Sequence, residues 1–388
     1  MPRTWQLDQA ISASELPFLR INRIRLRHQR LIQTPITPIS VDARSGDEVY
    51  AEPDPINLED DEHDDPQLLD LLLMSRSSGA TDPRDKIYAL LGLGKHDIDP
   101  DYSMSPESVF TDFALQTIGA VTNMQARQNL NSLDLDTNLR EVRRALTLIS
   151  CAGQHNQQLQ DLPSWVPDWT VDLSSRPLVF GLGQRFAAGG DNLGLFDWDF
   201  GLQLCGKLLD SVTVAGSVHL DYSLGKHNGS PHDMIREWWQ EAQQIAFSRI
   251  ARSPGSTMNM DAFEAMRRDL SLCRHGYYIT PSPNPRRNSL LEELDASDQI
   301  SHSASQTMTL GPTRGRIFFT SSTGYIGIAP YGSREGDLVF VLLGADVAFV
   351  LRPLEDGYCL TGEAYVQGVM HGEVLELEHL PVQDIMIS

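Results

Sequence analysis

Ile326-Gly327-Ile328-Ala329, Asp337-Leu338-Val339-Phe340-Val341-Leu342-Leu343, Ala348-Phe349-Val350-Leu351 and Tyr358-Cys359-Leu360-Thr361-Gly362-Glu363 follow one another in the last third of the chain. Each is a short apolar run bounded by Gly, Pro or an Asp-Gly turn. With Arg316–Thr320 before them and Val374–Leu377 after, they recur about every 8–12 residues, the spacing of an antiparallel barrel or sandwich. Further upstream, Leu202–Gly206 and Asp210–Val214 read as two more strands. A helical block over about 232–300 separates them from the rest. It holds Ile235, Trp238, Trp239, Ala242, Ile245 and Ala246, then Phe263, Met266 and Leu270, with Pro281-Ser282-Pro283-Asn284-Pro285 as a loop. Residues 176–388 are therefore expected to form a β-domain whose first strands are split off by a helical insertion at about 225–305.

The preceding part, 67–175, reads as helical. Leu68, Leu69, Leu71, Leu72 and Leu73 give one apolar helix. In Thr81-Asp82-Pro83-Arg84-Asp85, Thr81 or Asp82 can cap a second helix, with Pro83 at its first position. Gly92 or Gly94 ends it. Ser105-Pro106-Glu107 opens a third, with Val109, Phe110, Phe113, Ala114 and Ile118 on its buried stripe, and a fourth runs near Leu139–Cys151. Leu162-Pro163-Ser164-Trp165-Val166-Pro167-Asp168-Trp169 cannot be regular, because two prolines interrupt it. Its tryptophans predict an extended segment pinned on the core. The fold class is thus α+β: a helical part packed on an antiparallel barrel or sandwich.

Upstream, residues 1–44 form a segment with a predicted helix over 14–33, where Arg20, Arg23, Arg27 and Arg30 fall at three- and four-residue spacing. Residues 45–66 read as an acidic loop. From Asp47 to Asp70 there are eleven acids and no Lys or Arg. That stretch carries about half of the net charge of −21. Such a balance argues against nucleic acid, whose phosphates need compensating cations, and against anionic lipid. No apolar run is long enough to span a membrane, and the N-terminus lacks the apolar core of a signal peptide. Cys151, Cys205, Cys273 and Cys359 are too dispersed for a zinc site or a disulfide framework. The expectation is a cytoplasmic protein without metal or cofactor.

Several segments together resemble one family. They are Ala80-Thr81-Asp82-Pro83-Arg84-Asp85-Lys86-Ile87-Tyr88-Ala89-Leu90-Leu91-Gly92-Leu93, Pro100-Asp101-Tyr102 with the helix after it, and Leu162–Trp169. The C-terminal segments are Phe319-Thr320 with Gly324-Tyr325-Ile326-Gly327, Gly336-Asp337-Leu338-Val339, Val350-Leu351-Arg352 and Gly362–Glu373. In this order, over 66–377, they resemble the region that follows the signalling domain in the fungal heterokaryon-incompatibility (HET) family. That family's N-terminal Leu-Ser-Tyr-x-Trp-Gly-like and Trp-x-x-Arg-x-Trp-x-x-Gln-Glu-like segments do not occur here. The resemblance implies a link to nonself recognition, with the chain standing as a truncated member.

No nucleophile elbow, P-loop, dinucleotide fingerprint or HExxH motif is present. Three clusters remain. Tyr365, His371 and Glu373 are candidate catalytic groups, since imidazole, carboxylate and phenol can pass protons. In a strand, 371 and 373 would share a face. Trp165, Asp168 and Trp169 are candidate ligand-binding residues, as are Arg84 and Asp85. The bland alternatives are a Gly-rich turn, a capped turn with core tryptophans, and a local salt bridge at a helix start. Two functions follow. The first is a module binding a protein partner or ligand and related to nonself recognition. The alternative is a cofactor-independent cyclase, isomerase or pericyclase of fungal secondary metabolism, acting on a small hydrophobic metabolite at the helical–β junction.

Overall fold

The computed structural model describes residues 68–126 (save 77, 94, 95 and 97), 135–171 (save 154–156), 177–178, 186–191, 201–218, 231–252, 260–274, 277–278 and 313–388. The expected 14–33 helix, the acidic loop and the Pro281–Pro285 loop lie outside the described residues.

The β part comprises strands β1 (Leu202–Val218), β4 (Arg316–Ser321), β5 (Ile326–Pro330), β6 (Leu338–Leu342), β7 (Ala348–Leu354), β8 (Gly357–Val366) and β9 (Val382–Ile387), with a two-residue ladder of β2 (Cys273–Arg274) and β3 (Tyr277–Tyr278). The large sheet runs β4-β5-β8-β7-β6-β1-β9, and β4 also pairs with β1. The sheet therefore closes into a ring, β1-β4-β5-β8-β7-β6, with β9 added outside β1. All ring pairings are antiparallel.

The two strands expected near 202–214 are one long strand. Its first half pairs with β6 and β9, and its second half with β4. Register shifts at Leu208/Asp210 and Val212/Val214 bend it, as bulges do, so one strand pairs with β6 along one half and β4 along the other. The strand expected at Val374–Leu377 is a turn and the short 3-10 helix Glu373–Glu376 instead. Lys207 accounts for this. Its buried ammonium donates to the carbonyls of Leu375 (3.0 Å) and Leu377 (3.1 Å), which a strand ladder would otherwise use.

Strand alternation sorts the side chains into two cores. Leu209, Val212, Ile317, Phe319, Val339, Val341, Val350, Ala364 and Val366 form a cluster inside the ring. Their neighbours Phe318, Phe340, Phe349, Leu351 and Tyr365 face outward into a larger cluster shared with the helices. The interior is thus filled by side chains, as in small closed sheets. Gly327 is needed for that closure, since a Cβ there would lie 2.2 Å from the Tyr365 carbonyl.

Helices Leu68–Ser75, Asp85–Tyr88, Pro106–Ala126 and Leu135–Ser150 form the first layer. The second helix is much shorter than its sequence signals allow. Asp82-Pro83-Arg84 is a turn, and a 3-10 turn at Leu91–Leu93 follows. Helices Pro231–Arg252 and Met260–Leu272 cover another part of the ring's outer face. Trp238 Nε1 donates to the Ser217 carbonyl (3.0 Å), and Phe263 meets Phe318 edge-on at 5.9 Å. The extended Leu162–Trp169 segment lies between helices and sheet. The Ser164 amide donates to the Ser388 carbonyl (3.1 Å), and the Leu360 amide donates to Ser164 Oγ (2.9 Å). Trp165 and Trp169 are both buried. Each removes roughly 200 Å² from water, worth about 5 kcal/mol of gross transfer free energy.

Candidate functional site

The helical–β junction concentrates buried polar groups. Arg76, just past the first helix, stacks on the Trp169 ring at 4.5 Å and donates to the carbonyls of Asp168 (2.6 Å) and Val171 (3.0 Å). Phe113 meets Trp169 edge-on at 6.0 Å. Asp168 is buried, with its carboxylate fully engaged. Oδ2 accepts from the amides of Gln158 (2.8 Å) and Leu159 (3.1 Å). Oδ1 accepts from the amide (2.9 Å) and hydroxyl (2.5 Å) of Thr170. Trp165, Asp168 and Trp169 are therefore brought together as the wall between layers, with the carboxylate folding its own loop.

Arg316 and Glu363 form a buried ion pair on the ring's outer face at 2.5 Å. Glu363 Oε1 also accepts from the Leu178 amide (2.6 Å). Burial pushes the Glu363 carboxyl up, while Arg316, the Leu178 amide and Ser150 pull it back. Nearby Cys151 is pushed up to about 12 by burial, so its thiol is not a nucleophile at neutral pH. Neither Arg316 nor Glu363 was singled out from the sequence. The available signal was a charged residue inside an otherwise apolar strand, as in Gly362-Glu363-Ala364.

Tyr365 is buried on that same outer face. Its Oη lies 2.8 Å from Asp269 Oδ2, on the 260–272 helix, and 2.7 Å from Gln367 Oε1. One phenolic proton serves one acceptor, and the carboxylate is the stronger. Phe186 touches both Tyr365 (5.7 Å) and His371 (5.9 Å). His371 and Glu373 are exposed and do not share a strand face. Glu373 Oε2 accepts from the His371 amide at 2.7 Å, closing the turn before the 3-10 helix. Tyr365 and His371 are thus neighbours through one phenylalanine, while Glu373 is engaged by backbone.

Arg84 and Asp85 sit away from these groups. Arg84 forms a fork with Asp82 (2.9 and 2.7 Å) and donates to the carbonyls of Tyr102 (2.5 Å) and Met104 (2.8 Å). Asp85 accepts from the Tyr102 hydroxyl at 2.7 Å. Hydrogen bonds from Arg84 hold Asp82 below the usual carboxylate range. Two of the quoted sequence segments thereby clasp each other.

Two further motifs meet in the ring. Arg352 donates from Nε to Asp337 Oδ1 and from a terminal nitrogen to Oδ2, both at 2.9 Å. Asp337 also accepts from the Arg334 amide (2.9 Å). At one end of the ring, the Phe186–Asp191 strap is fixed by backbone. The Ala187, Ala188 and Gly189 amides donate to the carbonyls of Met370, Asp346 and Ala345 at 2.9, 3.1 and 2.7 Å. Arg143 links Asp191 (2.7 Å) and Asp346 (3.8 Å).

A family model described as the Het-6 beta-barrel domain matches residues 254–380. The Neurospora crassa protein named heterokaryon incompatibility protein 6, OR allele, is 25% identical over 376 residues, covering 80% of this chain and 52% of that protein. The chain is thus similar to a heterokaryon-incompatibility protein, and its C-terminal third to that family's β-barrel domain. It spans about half the length of that curated relative. No solved structure matches it. The matched residues hold β4–β8 and the 260–272 helix, including the Asp337–Arg352 fork and the Arg316–Glu363 pair. Among the described residues, no group of three or more His, Cys, Asp or Glu is placed to hold a metal, and no helix is long and apolar enough to cross a membrane.

Proposed function

We propose that this heterokaryon-incompatibility relative is a protein-binding module of a nonself-recognition system. The observation that carries the reading is how the ring is filled. Its interior is closed by Val, Ala, Leu209, Ile317 and Phe319, so the sheet is a packed scaffold. The candidate acid–base groups support the same reading. Asp168, Glu373, Tyr365 and Arg84 each serve a named fold contact. A scaffold of this kind presents loops and helix faces to a partner. The relative's name adds the biological setting.

The test is a heterokaryon assay. Strains carrying, lacking or exchanging alleles of the gene are paired, and heterokaryon growth is scored. A change of compatibility class on deletion or exchange is expected. Unaltered growth in every pairing would overturn the proposal. Conversion of a small hydrophobic metabolite by the purified chain would instead favour catalysis.

A further inference from the structure

Tyr102 is the most exposed large apolar side chain among the described residues, at 54%. It is nevertheless fixed at both ends. Its hydroxyl donates to Asp85, and its ring takes the Arg84 guanidinium at 5.2 Å and the Tyr88 ring edge-on at 5.2 Å. An exposed aromatic that is already ordered loses little entropy on binding, which is the property of an interface anchor. Its surroundings are unbalanced in charge. Asp82, Asp85 and Asp101 stand around one guanidinium, and Arg84 spends its fork on Asp82. Asp101 is exposed, and its Oδ1 is held by the Ser103 amide (2.8 Å) and hydroxyl (2.7 Å). A rigid aromatic rimmed by carboxylates favours a guanidinium, which stacks on the ring and pairs with the rim.

The chain itself supplies such a group. Arg20, Arg23, Arg27 and Arg30 recur at helical spacing within residues 14–33. Residues 31–67 intervene before the first described helix. That is a reach of roughly 120 Å when extended, so chain length sets no barrier. We infer that the Tyr102 platform docks the chain's own arginine segment, Arg20–Arg30, placing an internal contact on a surface a partner would otherwise use. The contact is intramolecular, so it stands or falls separately from partner binding.

The test opens the platform in the full chain and offers the segment back. Arg20, Arg23, Arg27 and Arg30 are replaced by Gln, and a synthetic peptide of residues 14–33 is titrated by fluorescence anisotropy. Saturable binding is expected, weakening several-fold between 50 and 300 mM salt as screened charge contacts do. Tyr102→Ala in that background should weaken it at least tenfold. Tyr102→Phe, which keeps the ring, should stay within threefold. Asp101→Asn, at an exposed site, should weaken it about threefold without affecting folding. Absence of saturable binding, or Tyr102→Ala and Asp101→Asn chains that bind the peptide as tightly as their parent, overturns the inference. The second result would place the peptide elsewhere, for instance on the acidic stretch 47–70.

Discussion

The Asp337–Arg352 fork can be broken one partner at a time. Asp337 is 1% exposed in its side chain and Arg352 20%. Their two parallel bonds join the start of β6 to β7, and Arg352 also donates to the Gly332 carbonyl (2.8 Å). The bond to Asp337 is the main cause that raises the Arg352 guanidinium above its ordinary value. Removing the cation with Arg352→Met leaves a buried carboxylate with the Arg334 amide as its remaining named donor. Stranding one charge of a buried pair costs about 3–5 kcal/mol. Partial exposure of Arg352 argues for the lower end, about 3 kcal/mol. Arg352→Lys keeps the charge but loses the fork, for about 1–2 kcal/mol. Asp337→Asn/Arg352→Met keeps an acceptor for the Arg334 amide and removes both charges, so it should recover most of the loss. Urea unfolding followed by tryptophan fluorescence checks this, with about 3 kcal/mol appearing as a midpoint shift of roughly 1–2 M. A loss below 1 kcal/mol for Arg352→Met, or a double variant no better than the single, would refute the argument that the buried charge sets the cost.

Three further outcomes are expected. Burial, partly opposed by Arg143 and reinforced by Asp191, raises the Asp346 carboxyl to about 6. The folded chain therefore binds the extra proton, so stability falls as pH rises from about 4 to 6, by on the order of 3 kcal/mol; Asp346→Asn should flatten that slope in pH-dependent urea melts. In Gly189→Ala the new methyl would sit 2.0 Å from the Leu342 carbonyl. The strap should shift, costing about 3 kcal/mol, and the Gly344 amide, which donates to Gly189, should exchange hydrogen faster. Tyr365→Phe should cost about 2 kcal/mol, the range for a hydrogen bond to a charged group. In the heterokaryon assay that variant should behave as wild type once folded, whereas a catalytic Tyr365 would give loss of function.

What was legible in the sequence was local. The unbroken apolar runs 338–342 and 348–351 mark strands because both faces of each are buried, one inside the ring and the other against the helical layer. The helix at 106–126 was legible for the same reason, from its stripe of Phe110, Phe113 and Ile118. The short Asp85–Tyr88 helix was over-read, because Asp82 and Pro83 are equally good residues for the turn they form. Val374–Leu377 reads as a strand because nothing nearby in sequence announces Lys207, the distant cation that holds the 3-10 helix. Candidate site residues were found by type, but type does not reveal commitment. Asp168 looks available until its four donors, from Gln158, Leu159 and Thr170, are placed around it.

The matched domain begins at residue 254, yet the ring does not close within that stretch. β4 finds its partner in the second half of β1, and β6 finds its partner in the first half, both between 202 and 218. Without β1, β4 and β6 would each present an unpaired edge, the arrangement native sheets avoid. The inner cluster would also lose Leu209 and Val212. The bulges that let β1 serve both neighbours are thus as much a part of the β-architecture as the motifs in 316–366. The 231–252 and 260–272 helices depend on β1 as well. Those helices pack on the outer face that β1 and β4 complete, through Trp238 to Ser217 and Phe263 to Phe318. Ionisable groups on that outer face, Arg316, Glu363 and Asp269 with Tyr365, are then spent on joining layers.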